Sequence, residues 1–221
     1  MSDRFLSVRE PFHFEDEPTK GSRFIGSVAP AANEERALAF LEEVRARFPD
    51  ASHHAWAYRL GRTGDVFRFH DDGEPGGSAG RPILAQLEGH GVTAVVAVVT
   101  RWFGGTKLGV GGLVRAYGGA AGRALDLAPL ETVVLTRRLR VTFPYEATAG
   151  VQGWLAASGF EPRSSDYGEE VRLEFDVPEG EWDGVRAALR DATAGRIGLA
   201  EVEEEGGSGT GAAGDDPTER G

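Results

Sequence analysis

Residues 92–123 constrain the fold more than any other part of the chain, because they join a buried strand, a glycine-rich loop and a helix. Residues 92–100 are mainly β-branched and apolar, which is typical of a strand covered on both faces at the centre of a sheet. Residues 104–112 then contain five glycines in nine positions, so this backbone can adopt positive φ and approach another molecule closely. Residues 113–125 are rich in glycine and alanine, and we expect them to form a helix that packs tightly on the sheet.

The same segment carries basic side chains and no acids, although the whole chain has a net charge of -11. Arg101, Lys107, Arg115 and Arg123 are spread along it, and residues 89–125 contain neither Asp nor Glu. One interpretation is structural, because acids are rare in buried strands and small residues allow close packing. The other interpretation is an anion site, in which loop amides and the N-terminus of the following helix face a phosphate.

The anion-site interpretation assigns binding to three basic side chains and five glycines. These residues are Arg101, Gly104, Gly105, Lys107, Gly109, Gly111, Gly112 and Arg115. The loop does not match a Walker motif, which needs Lys and then Ser or Thr where Val110 and Gly111 stand. It does not match the dinucleotide fingerprint either, because Val114 occupies the position of its last glycine.

Composition limits the remaining classes of function. The chain has no cysteine, which excludes disulfides, thiol nucleophiles and cysteine-bound metals. Its longest apolar run is too short to span a bilayer, and its N-terminus lacks the apolar core of a signal peptide. We therefore expect a soluble cytoplasmic protein that does not bind a membrane, and the sequence indicates no metal and no cofactor.

The order of predicted elements divides the chain into two domains. Residues 1–19 are expected to be irregular, and residues 20–128 to form a first domain of strand, helix, strand, strand, helix, strand and helix. Residues 129–137 lead into a second domain, residues 138–203, whose β-α-β-β-α-β order is the split pattern of a ferredoxin-like fold. Residues 204–221 are acidic and have few apolar side chains, so we expect a disordered, solubilising tail.

The connection HDDGEPGGSAGRPIL, residues 70–84, is unusually rich in acids, glycine and proline. Its carboxylates can act as acid and base groups or hold Mg²⁺, with His53, His54 and His70 nearby. They can instead cap loop amides or pair with Arg81 and Arg101, which is the interpretation we favour. The candidate residues of this motif loop are Asp71, Asp72, Gly73, Glu74, Pro75, Ser78, Gly80, Arg81 and Pro82.

Two long motifs, HDDGEPGGSAGRPIL and VVTRWFGGTKLGVGGLVRAYG, resemble those of the YigZ/IMPACT proteins. The resemblance covers residues 20–127 strongly and residues 139–202 more weakly. It implies an α+β fold, with an N-terminal domain like the second domain of ribosomal protein S5 followed by a C-terminal ferredoxin-like domain. Eukaryotic relatives regulate translation by binding the activator of an amino-acid-starvation kinase. They use an additional N-terminal domain that we do not find here, so that partner is not transferred.

Some positions depart from the family pattern. His70 stands where a serine is common, Gly77-Ser78 where Ser-Thr is usual, and His54-Ala55 where Asn-Cys is usual. The missing cysteine argues against thiol chemistry at that position. Because Ser78 retains the hydroxyl, we expect the hydrogen bonding of its turn to be retained.

Two hypotheses of function remain. The favoured one is a translation-associated regulatory protein of the stress response. It binds RNA or the ribosome through the basic glycine-rich loop beside Trp102, Phe103 and Tyr117, and a protein partner in translation control is a further expectation. The alternative is an enzyme that acts on an anionic, phosphorylated small molecule with Asp71, Asp72 and Glu74 as its catalytic carboxylates. The sequence leaves the oligomeric state open.

Overall fold

The computed structural model describes residues 3–202, which divide into two compact units with the boundary in the chain between Val134 and Leu135. Both units mix helices with antiparallel sheets, so the predicted α+β fold in two domains is confirmed. The predicted acidic tail, residues 204–221, lies outside the described residues. Among residues 3–202, none of the helices has the length and apolar character needed to cross a membrane.

The first unit is built around a five-stranded sheet with helices on both faces. Its strand order is β2-β3-β6-β4-β5, with a separate β1-β7 pair. The elements are β1 (Arg4–Val8), β2 (Phe12–Glu15), β3 (Arg23–Pro30), α1 (Glu34–Arg47), β4 (His53–Leu60), β5 (Val66–His70), α2 (Gly80–Gly89), β6 (Val95–Trp102), α3 (Val110–Leu127) and β7 (Leu130–Val134). From β3 to α3 this order is the predicted one.

The strand β6 is central, as predicted, although it begins three residues later than expected and extends to Trp102. It pairs with β3 on one side and β4 on the other. Alternate side chains enter two cores: Val95 and Val99 belong to the core beneath α2 and α3, whereas Val96 and Val98 belong to the core beneath α1. This burial on both faces explains why the strand has an almost continuous apolar sequence.

The expectation that residues 1–19 are irregular is wrong. β1 pairs with β7, and β2 extends the main sheet along β3. Val8 is fully buried, and Phe12 and Phe14 pack against the core of the sheet. Both strands are only four or five residues long and lie between prolines and acids, so their local pattern is weak. Pairing stabilises them: β1 pairs with β7, more than 100 residues away, and β2 pairs with the next strand, β3.

The boundary between the domains also differs from the prediction. Residues 130–134 are the strand β7 of the first unit and are not a lead-in to the second. The strand β7 ends at Val134, and the first strand of the second unit begins at Thr136, which leaves a break at Leu135. Sequence periodicity cannot detect this break, because both strands are rich in β-branched residues while their partners lie far apart in the chain.

The second unit has the predicted β-α-β-β-α-β order. Its elements are β8 (Thr136–Phe143), α4 (Thr148–Ser158), β9 (Ser164–Tyr167), β10 (Val171–Pro178), α5 (Trp182–Ala192) and β11 (Gly198–Val202). The sheet order β11-β8-β10-β9 is the arrangement of a ferredoxin-like fold, which is therefore confirmed. Leu139, Val141 and Phe175 are fully buried in its core.

Candidate functional site

The glycine-rich loop connects the central strand to the N-terminus of α3. Gly105 and Gly109 have φ values of +83° and +72°, a left-handed conformation that glycine adopts without strain. Gly109 is the N-cap of α3, and no side chain of residues 3–202 caps the helix. The amides of Val110, Gly111 and Gly112 therefore have no intrahelical acceptor, and this end of the helix dipole favours an anion.

Gly104 has a structural role. A Cβ at Gly104 would lie 1.9 Å from the carbonyl carbon of Gly21, so the loop backbone packs directly on the turn before β3. The amide of Gly104 also donates to Oγ of Ser22 at 3.2 Å. Gly104, one of the five glycines predicted to contact an anion, is thus needed for the close packing of two backbone segments.

Arg101 is buried, which differs from its predicted role as a free cation. Its Nη1 donates to Oε1 of Glu74 at 2.5 Å, and its Nη2 donates to Oγ of Ser22 at 3.2 Å. Tyr117 also donates to Oε1 of Glu74, at 2.7 Å. Burial is the main cause that raises the pKa of Tyr117, and the adjacent Glu74 carboxylate raises it further. Arg101 therefore already has its counter-ion inside the protein.

Three other cations surround the first turn of α3. Lys20, Lys107 and Arg115 are exposed, and none of them forms an ion pair within residues 3–202. Arg123 is different, because it pairs with Asp16. Lys20 was not predicted as a site residue, although the antiparallel pairing of β3 with β6 brings it beside the loop.

Two clefts flank Leu108 at this end of α3. The larger, which we call the α3 cleft, has a volume of about 390 Å³ and is lined by Phe103, Lys107, Leu108, Val110 and Leu113 together with the motif loop. The smaller, which we call the basic groove, has a volume of about 170 Å³ and is lined by Lys20, Arg115 and Arg123 around Gly112. The predicted anion-binding residues Lys107, Gly109, Gly112 and Arg115 therefore line two adjoining clefts.

The carboxylate of Asp71 organises the motif loop. Its Oδ1 accepts hydrogen bonds from the amides of Ala79 and Gly80 at 2.9 and 2.8 Å, and its Oδ2 accepts one from Gly77 at 2.8 Å. Burial raises the pKa of Asp71, but the three amide hydrogen bonds outweigh it, so the net shift is downward. The carboxylate is thereby stabilised in its ionised form. Our interpretation that these acids cap loop amides is confirmed for Asp71.

Asp72 has a similar role on the other side of the loop. Its backbone is left-handed, with φ of +48°. Its Oδ2 accepts from the amide of His54 at 2.7 Å, and its Oδ1 faces Arg45 of α1 at 3.3 Å. Of the three carboxylates proposed for catalysis, only Glu74 lines the α3 cleft.

The remaining motif-loop residues fix the path of the chain into α2. Gly73 has φ of +86°, Pro75 lines the α3 cleft, and Arg81 is exposed on α2. Gly80 packs on the backbone of His70, where a Cβ would lie 2.8 Å from the nearest atoms. Pro82 lies in the first turn of α2 and contacts α3 near Gly118.

Ser78 does not contribute its hydroxyl to the turn as expected. The residue is fully buried, and its Oγ has no hydrogen-bond partner among the described residues. Its amide donates to the carbonyl of Pro75 at 2.9 Å, and Asp71 provides the other hydrogen bonds of the loop.

The three aromatic residues predicted near the loop have different environments. Phe103 is 49% exposed and lines the α3 cleft. Trp102 is half-buried, packs edge-on against Phe48 and lies under the guanidinium of Arg23. Tyr117 is fully buried, which excludes it from stacking on a ligand. The structure thus leaves Phe103 as the accessible ring.

The histidines do not form a common site. His53 lines the α3 cleft, with Nε2 at 3.8 Å from Oε1 of Glu74, and its Nδ1 contacts the carbonyl of Asp72 at 2.8 Å. His54 is buried beside Thr100, and this burial lowers its pKa. His70 stacks on Trp56 in the sheet. Within residues 3–202, no cluster of His, Asp or Glu is arranged to hold a metal ion.

Comparison with known proteins places both units in known families. Residues 20–125 match the Impact N-terminal domain, and residues 141–196 match a domain of unknown function, DUF1949. The protein YigZ of Escherichia coli, an IMPACT family member, is 39% identical over 190 residues, which cover 85% of this chain and 93% of that protein. An IMPACT family member of Thermus thermophilus is 45% identical over 177 residues, covering 80% and 96% of the two chains.

More distant similarity and a solved structure agree with this assignment. The IMPACT homolog of Saccharomyces cerevisiae is 31% identical over 93 residues, which cover 41% of this chain and 36% of that protein. The crystal structure of a hypothetical protein that is 37% identical superposes with a TM-score of 0.65, covering 93% of this chain and all of the other.

Proposed function

This chain belongs to the IMPACT family. We propose that it is a translation-associated protein and that it binds RNA, free or in the ribosome. The contact surface is the exposed basic surface around the first turn of α3. The observation that carries the proposal is the set of three exposed cations, Lys20, Lys107 and Arg115, that have no ion pair within residues 3–202. A protein of net charge -11 keeps these charges available at one end of one helix.

Arginines of the second unit form ion pairs, unlike the three exposed cations around α3. The face of its sheet away from the helices also carries arginines, but Arg140 pairs with Glu174, and Arg163 pairs with Asp176. Such paired arginines attract phosphate less than free ones, because a carboxylate already neutralises each charge. This contrast supports the basic surface of the first unit as the contact region for RNA.

The test is retention of the purified protein on structured RNA and on ribosomes across a salt series. Lys107→Glu and Arg115→Glu should each weaken RNA binding. Each should also make the slope of log affinity against log salt concentration shallower, by the amount expected for the loss of about one phosphate contact. Arg36→Glu is the matched control, because Arg36 is exposed in the first turn of α1, on the opposite face of the sheet. Circular dichroism of each variant establishes that it is folded. Binding that is insensitive to salt, or equal weakening by Arg36→Glu, would contradict the proposal.

A second candidate function rests on Glu74 and His53. Their side chains approach to 3.8 Å where both line the α3 cleft, and Lys107 lines the same cleft. We propose an acid-base pair acting on a phosphorylated small molecule as the alternative activity. Asp71 and Asp72 then serve only to hold the loop. The test is thermal stabilisation by a panel of sugar phosphates and nucleoside monophosphates, which the alternative expects in the wild type and not in Lys107→Glu.

A further inference from the structure

The α3 cleft combines exposed apolar surface with a cation, and its size of about 390 Å³ lies within the range of sites for small organic groups. Phe103 and Val110 line it while remaining 49% and 59% exposed. The guanidinium of Arg101 lies 5.5 Å from the centroid of the Phe103 ring. A buried side chain therefore packs against the ring of Phe103, while about half of the residue stays accessible.

The polar groups of the cleft favour a single anion beside this apolar surface. Arg101 neutralises Glu74, so among the described residues that line the cleft Lys107 is the charge left without an ion pair. The uncapped amides at the start of α3 add to the attraction for an anion. Arg101 lines the cleft, is 4% exposed and has an Nε atom without a hydrogen-bond partner among the described residues.

We infer that the α3 cleft binds one unpaired nucleotide of the RNA, with the base against Phe103 and Val110 and its phosphate at Lys107 and the first turn of α3. This inference rests on the proposed RNA binding and specifies the form of RNA that is recognised. A flat base with a phosphate matches an aromatic surface beside one cation. In a duplex each base is already stacked and paired, so the site selects single strands, bulges and loops.

The test compares a short single-stranded RNA with the same strand annealed to its complement. Phe103→Ala should lower affinity for the single strand by about fivefold or more, which is the lower limit for loss of one stacked base, and leave affinity for the duplex unchanged. Phe67→Ala is the matched control, because Phe67 is 52% exposed on the edge strand β5 and does not line the cleft. Phe103→Leu, which keeps apolar volume but removes the aromatic face, provides a second variant if alanine impairs folding.

The outcomes separate the inference from the proposed function. Equal affinity of Phe103→Ala, Phe103→Leu and wild type for the single strand would overturn the inference and leave salt-dependent RNA binding intact. Loss of the same size in Phe67→Ala would also overturn it, because the effect would not be specific to the cleft. Failure of the wild type to bind either RNA at low salt would overturn the proposed function itself and the inference with it.

Discussion

Arg101 of β6 donates to Glu74 of the motif loop at 2.5 Å, and both side chains are only 5% exposed. The pair joins the basic segment to the acidic loop, the two parts of the sequence that first indicated a binding or catalytic site. Tyr117 of α3 donates to the same carboxylate oxygen. One buried ion pair therefore connects the central strand, the motif loop and the helix that lines the α3 cleft.

Glu74→Gln should destabilise the protein strongly, because it leaves the charge of Arg101 buried without a counter-ion. We expect a loss of about 3 kcal/mol or more in the free energy of unfolding, measured by urea denaturation. Glu43→Gln, at an exposed position of α1, should change it by less than about 0.5 kcal/mol.

A second substitution tests the cause of that loss. Adding Arg101→Met to Glu74→Gln removes the unpaired charge, so the double variant should recover part of the lost stability. Equal stability of Glu74→Gln and Glu43→Gln would show that the Arg101–Glu74 pair does not contribute to the free energy of unfolding.

The sequence allowed most of the fold to be predicted where apolar patterns are local. The central strand β6, the order of elements from β3 to α3, and the split pattern of the second unit were predicted from local patterns. The strands β1 and β7 were not predicted, because each is stabilised by pairing with a segment more than 100 residues away.

The candidate site was predicted less completely, for a physical reason. The sequence shows that Arg101 and Lys107 are basic and close together in the chain. It does not show that Arg101 is buried on β6 while Lys107 is exposed on the loop. The partner of Arg101 lies 27 residues earlier in the chain. Lys20 could have been found by extending the antiparallel pairing of β3 with β6 beyond Arg23 and Trp102.

The amide hydrogen bonds to Asp71 predict a specific dependence of stability on pH. Because folding lowers the pKa of Asp71, the carboxylate stabilises the fold above its unfolded pKa of about 3.9, and this contribution is lost as pH falls through the lower, folded value. Asp71→Asn should therefore cost about 1–3 kcal/mol near neutral pH, because an NH₂ group replaces one acceptor.

Urea denaturation from neutral pH to about pH 3 measures this effect, since that range begins above and ends below the unfolded pKa of aspartate. The difference between wild type and Asp71→Asn should shrink as pH falls. Asp50→Asn, at an exposed position, is the control and should show little difference throughout. A constant difference between wild type and Asp71→Asn at all pH values would contradict the assigned role of the carboxylate.

Gly26 determines how closely α3 can approach the sheet. A Cβ at Gly26, in the middle of β3, would lie 2.4 Å from the carbonyl oxygen of Ala120 and 2.8 Å from Cβ of Ala124. Both obstacles belong to α3, and the first is backbone, so the helix must move away from the sheet. We expect Gly26→Ala to lower the free energy of unfolding by about 1–3 kcal/mol, measured by urea denaturation.

The helix displaced by Gly26→Ala also lines the α3 cleft, so we expect this substitution to change ligand binding as well as stability. Gly89→Ala is the control, because an added Cβ at Gly89, the last residue of α2, meets no atom of the described part of the chain within 4 Å. It should leave stability unchanged or raise it by up to about 1 kcal/mol. In Gly26→Ala the start of α3 moves relative to Lys20 before β3, so the proposed binding of RNA should weaken even where the variant remains fully folded. Unchanged RNA affinity in the folded variant would mean that the proposed binding does not depend on the position of α3 against β3.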